Sequence, residues 1–100
     1  MGRNYKLERL QNGETFITHE KGNSMVGLIS SNQNHKLAPI TWEECSEGDI
    51  VYCKVKGNWY THLVKGKNLD KGLLIGNNKG GINGWTKQVF GKVIEVIKNG

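Results

Sequence analysis

The chain has 100 residues, net charge +5 and a pI near 9.3, with 36% hydrophobic residues and a mean hydropathy of −0.54. That length makes one domain with a small core. It excludes a membrane span, since no apolar run approaches the roughly 20 residues needed, and Met1 to Asn12 lacks the apolar core of a secretory signal. A bacterial-type cytoplasmic location is the default expectation. Cys45 and Cys53 have neither zinc spacing nor disulfide density. They read as reduced core or boundary thiols. His19, His35 and His62 are scattered and form no metal motif. No metal and no cofactor is expected.

The charge is uneven. Residues 51–100 carry nine lysines against Asp70 and Glu95, a balance of +7, and the first half carries −2. A basic half suits an acidic partner or nucleic acid. The lysines are dispersed and no arginines cluster, so the bland reading is a solvated surface that discourages edge-to-edge pairing. Nucleic acid is a possible partner and not the favoured one. Any such binding is expected to be weak, indifferent to sequence and steeply salt-dependent.

Taken in chain order, Tyr5 to Leu10 is the only stretch with a short helical pattern. Thr15-Phe16-Ile17-Thr18 is β-branched and aromatic and reads as a strand. Leu37 to Ile40 is short and carries the lone proline, which suits an edge strand. Asp49 to Val55 alternates, with Val51, Cys53 and Val55 on one face. Lys56-Gly57-Asn58 reads as a hairpin turn, and Trp59 to Val64 as the returning strand. There Tyr60, His62 and Val64 share a face and Trp59, Thr61 and Leu63 the other. Gly72 to Ile75 is a further strand, and Val89 to Ile97 the last, interrupted by Gly91. Six short strands with glycine turns predict an all-β, twisted and partly closed sheet.

A serine needs a base within reach and donors for an oxyanion. Ser24 follows Gly22, where the chain can turn and expose a side chain. His62 lies in a strand, where a neutral imidazole is able to take a serine proton. Backbone N–H groups of Ser24 and Met25 are candidate oxyanion donors. The common reading of a strand histidine is structural, and spacing alone is a weak signal. Asp49 reads as a turn carboxylate, and Asn77, Asn78 and Asn83 as side chains that satisfy backbone in glycine turns. Trp42, Trp59 and Trp85 read as core or groove-wall residues. Trp85, in Gly84-Trp85-Thr86 beside a glycine-rich loop, is the one expected to touch a ligand.

The order of these boxes resembles the signal-peptidase and LexA-like serine peptidase superfamily. Gly22-Asn23-Ser24-Met25 looks like its Ser-Met box, and Gly48-Asp49-Ile50-Val51 its Gly-Asp box. Thr61-His62-Leu63-Val64 looks like the base-bearing strand of the members that use histidine. Gly76-Asn77-Asn78 resembles their Gly-Asp-Asn-Asn, and Gly91-Lys92-Val93-Ile94 their closing strand. The likeness runs over about residues 22–96 and is similar to a group of small stand-alone bacterial and phage proteins, which also show Ile82-Asn83-Gly84-Trp85-Thr86.

The resemblance implies a LexA/signal-peptidase-like single domain over 1–100. It implies a Ser24/His62 dyad acting as a serine endopeptidase on a protein or peptide. Asn77 stands where those peptidases carry an aspartate. An amide there is able to orient a neutral imidazole without stabilising imidazolium by charge. If such a substrate groove exists, Trp85 is the residue read above as its candidate wall. No Ala-Gly or Cys-Gly site lies upstream of Ser24, which argues against self-processing. No membrane anchor is expected. The alternatives are an inactive phage or mobile-element module that binds a host protein, and a basic nucleic-acid-binding β domain.

Overall fold

The computed structural model describes residues 4–19 and 33–97. It opens with a helix, α1 (Tyr5–Gln11). Seven strands follow: β1 (Phe16–Thr18), β2 (His35–Pro39), β3 (Ile50–Val55), β4 (Asn58–Asn68), β5 (Gly72–Gly76), β6 (Ile82–Thr86) and β7 (Val89–Val96). A 3-10 turn at Trp42–Glu44 links β2 to β3. All strand pairs are antiparallel, in one sheet of order β1-β2-β7-β3-β4-β5-β6. The all-β expectation therefore holds.

The helix is short, so it depends on its cap and its packing. Asn4 accepts the Leu7 N–H at 3.0 Å and also contacts the Tyr52 hydroxyl on β3. One asparagine thus stops the helix fraying and ties it to the sheet. Leu10 points inward and packs with Phe16, Leu37 and Tyr52, flanked by Trp59, Phe90 and Val93.

The second core cluster lies on the opposite face of the sheet. It joins Val51, Cys53, Val55, Val64, Leu73, Ile75, Cys45 and Val89. The expected face of β3 is therefore right, and Tyr52 serves the other cluster. Alternation with both faces covered makes β3 nearly continuous in burial. The β3–β4 hairpin pairs Val55 with Asn58 and Ile50 with Leu63. Its turn is only Lys56-Gly57, with φ of 50° and 84°, and Asn58 already belongs to β4. Two consecutive positive φ values match the right-handed twist of the flanking strands.

Two expectations are corrected. β2 is not an edge strand, since it lies between β1 and β7. The proline is accommodated because β1 pairs only with His35–Leu37 and leaves Pro39 beyond its end. The count of six strands is also short by one. Ile82–Thr86 contains asparagine and glycine, poor strand formers, yet it pairs along β5. Past β6 the chain curls back, and Thr86 Oγ1 donates to the Lys54 carbonyl at 2.7 Å.

Candidate functional site

The base candidate sits at a defined place in this sheet. His62 pairs with Val51 across β3, so its ring lies on the Val51–Val64 core face. Its ring rests against Tyr60, with centroids 4.8 Å apart and planes 31° apart. His62 is 7% exposed. The last β4–β5 pair is Leu63 with Gly76, so His62 lies one residue beyond it, beside the start of the β5–β6 connection.

The side chain that reaches this ring comes from β6. His62 Nδ1 is 2.7 Å from Asn83 Oδ1. An amide oxygen only accepts, so Nδ1 carries the proton in this contact, and the tautomer it favours has its lone pair on Nε2. The cause of the approach is a bulge. Gly84 pairs with Ile75 and Ile82 with Gly76, so Asn83 is an extra residue on β6. An extra residue turns its side chain out of the regular alternation, and here it aims Asn83 at His62.

Asn77, the expected orienting residue, does a different task. Its Oδ1 accepts the N–H groups of Lys79 and Gly81, both at 2.9 Å, and its own N–H meets the Gly81 carbonyl. It builds the turn that leads into β6. Asn83, read from sequence as a turn asparagine, holds the histidine. The signals for it in the sequence were its place beside a glycine and in the Ile82–Thr86 box, neither of which points to a histidine; the contact spans 21 residues.

Ser24 and Met25 lie outside the described residues. Trp85 is 38% exposed. It pairs with Leu74, which alternates away from the buried Leu73 and Ile75, and so stands on the face opposite His62. Asp49 is a turn carboxylate: Oδ2 accepts the Ser46 N–H at 2.9 Å, and Oδ1 meets Lys92 Nζ at 3.2 Å. Its backbone carbonyl accepts from Val64, fixing the Gly-Asp box against the strand that carries His62.

A cavity of about 450 Å³ lies between α1, the end of β2 and β7, lined by Leu10, Pro39, Ile40, Thr41, Glu44 and Phe90 among others. Neither His62 nor Trp85 lines it. Among the described residues no group of three His, Cys, Asp or Glu side chains is placed to hold a metal, and no helix is long and apolar enough to cross a membrane.

The cysteines take no part in this chemistry. Both are buried, and neither is in a disulfide. Burial pushes the Cys45 thiol up to about 11, with Asp49 adding to it, and the thiol contacts the Thr41 carbonyl. A thiol held neutral is a poor nucleophile. Its folded value exceeds the value of 9.0 for an unperturbed thiol, so the unfolded chain loses this proton first as pH rises. Stability is then fully present below about pH 9 and declines towards pH 11. Cys45→Ser is expected to flatten that alkaline decline in urea midpoints measured from neutral to high pH. An unchanged decline would assign it to other groups.

Against known proteins, no family model and no curated sequence matches this chain.

Proposed function

We propose that the chain is a serine-peptidase-like protein of LexA/signal-peptidase-like fold, with Ser24 as nucleophile and His62 as base. The observation that carries the reading is the 2.7 Å contact of His62 Nδ1 with Asn83 Oδ1. It supplies what a serine–histidine pair needs from a third group, a fixed tautomer and a fixed ring plane. The order of the Ser-Met, Gly-Asp and histidine boxes supports it, as does the antiparallel hairpin joining Gly48-Asp49 to His62.

The chemistry follows from the tautomer. Nε2 accepts the Ser24 hydroxyl proton while Oγ forms a bond to the substrate carbonyl carbon. The carbonyl oxygen becomes an oxyanion, met by the N–H groups of Ser24 and Met25. The imidazolium then gives its proton to the leaving amine as the C–N bond breaks. Water, deprotonated by the same nitrogen, hydrolyses the acyl-serine. Asn83 supports the ring without a counter-charge, so the imidazolium gains less here than beside a carboxylate. The substrate is a protein or peptide.

A fluorophosphonate probe tests this. Wild-type protein is expected to label covalently at one site, and Ser24→Ala to remain unlabelled with an unchanged circular dichroism spectrum. Labelling that survives in Ser24→Ala rejects Ser24 as nucleophile. No labelling of wild type at millimolar probe leaves a binding module with the same fold.

A further inference from the structure

The face of the sheet turned away from His62 carries a feature the peptidase reading does not use. On β4, β5 and β6 the outward positions are Gly66, Leu74, Gly76 and Trp85. Gly66 leaves bare backbone beneath two side chains: a methyl group there would touch Leu74 Cβ at 3.7 Å and Trp85 Cη2 at 3.9 Å. Over Gly76, the Lys65 and Ile82 side chains converge, each 3.2 Å from where its Cβ would stand. Lys65 lies here because it is the extra residue of a bulge between Val64 and Gly66. Lys71 Nζ lies 5.7 Å from the Trp85 ring centre. Trp85 is 38% exposed and Ile82 57%. The result is an aromatic and aliphatic strip packed over glycines, with a lysine at each end.

The local charge is mainly positive. Between residues 58 and 86 the chain has four lysines and one carboxylate, Asp70, in the turn beside Lys71. Lys67 is engaged elsewhere, donating to the carbonyls of Glu43 and Cys45. Lys65 and Lys71 therefore flank the strip with little counter-charge.

We propose that this face is a platform for single-stranded nucleic acid, bound without regard to sequence. An exposed tryptophan stacks on any base, and lysines on either side meet phosphates. A duplex keeps its bases stacked on one another and offers Trp85 nothing to stack on. The proposal is independent of the Ser24/His62 reading, since Trp85 and His62 lie on opposite faces.

Fluorescence anisotropy with a labelled oligo(dT) of about twelve nucleotides, inside the usual site-size range, is the test. Wild type is expected to bind single strand better than duplex, with oligo(dA) and oligo(dT) similar. Trp85→Ala is expected to weaken binding roughly fivefold or more, the lower end of what a stacked base contributes. Trp85→Phe retains most of it. Gly66→Glu, whose Cβ meets only ordinary contacts, places a carboxylate on the strip and removes binding without disturbing the fold. The Lys65→Ala, Lys71→Ala pair reduces the salt slope by about 1.4, at roughly 0.7 per phosphate for single strands. Circular dichroism monitors folding, and the Trp85→Phe and Gly66→Glu arms decide if Trp85→Ala unfolds. The proposal is overturned by absence of binding at low salt, or by equal affinity of wild type and Gly66→Glu. Co-sedimentation with phosphatidylglycerol vesicles without oligonucleotide binding overturns it in favour of a lipid surface.

Discussion

His62→Ala is expected to slow fluorophosphonate labelling of Ser24 by roughly 10²- to 10⁴-fold, the usual contribution of a positioned general base. Asn83→Leu is expected to give a large part of the same loss while leaving the histidine in place. Leucine has similar bulk but accepts no hydrogen bond. It removes the acceptor 2.7 Å from Nδ1, so the ring is no longer held with its lone pair on Nε2. Asn83→Asp restores an acceptor oxygen and should recover labelling. Nitrogen-15 chemical shifts of the imidazole separate positioning from general damage. Wild type and Asn83→Asp should show a protonated Nδ1, and Asn83→Leu a mixture of tautomers. Asn83→Leu also strips a partner from a buried N–H, a cost of about 1–3 kcal/mol. Urea midpoints measure that cost separately. Labelling in Asn83→Leu at the wild-type rate, with the tautomer unchanged, would remove Asn83 from the mechanism.

Gly72→Ala is expected to be the most damaging small substitution, destabilising the domain by about 3 kcal/mol or more. Two causes add. Gly72 has φ +92°, where an L side chain is strained, and its Cβ would fall less than 2.5 Å from the Thr86 carbonyl oxygen, which is backbone and cannot swing aside. Relief requires β6 to move away from β5, breaking the Leu73–Thr86 end of their pairing. Because β6 carries Asn83, the His62 contact should loosen with it. Gly66→Ala is the control, since its Cβ meets only ordinary contacts at 3.7 Å and beyond. Urea unfolding of both variants gives the comparison. A loss under about 1 kcal/mol for Gly72→Ala, the scale of an ordinary glycine change, would show that β6 yields easily and that its register does not hold the site.

The sequence by itself determined the local layer of this protein. Alternation in Ile50–Val55 and in the first half of β4 told which side chains share a face, because the period of a strand is a property of its own backbone. The hairpin turn at Lys56-Gly57-Asn58 was readable for the same reason, one residue longer than it is, since Asn58 already pairs with Val55. So was the all-β class, from glycine turns at short intervals. The sequence also put His62 inside a strand and Asp49 in a turn.

Tertiary structure decided what depends on a partner strand. β6 was not legible, since Ile82-Asn83-Gly84-Trp85 has little strand preference and becomes a strand only by pairing with β5. The internal place of β2 was hidden in the same way: its neighbours β1 and β7 are joined to it by register alone. Bulges were beyond reach, because an extra residue exists only relative to the strand opposite. That is why Asn77 was expected to orient the histidine and Asn83 does. The two amides are chemically identical and six positions apart; the bulge in β6 turns one towards His62, and the β5–β6 turn consumes the other. Lys65 and Trp85 likewise share a face only once the β4 bulge and the β5–β6 register are set.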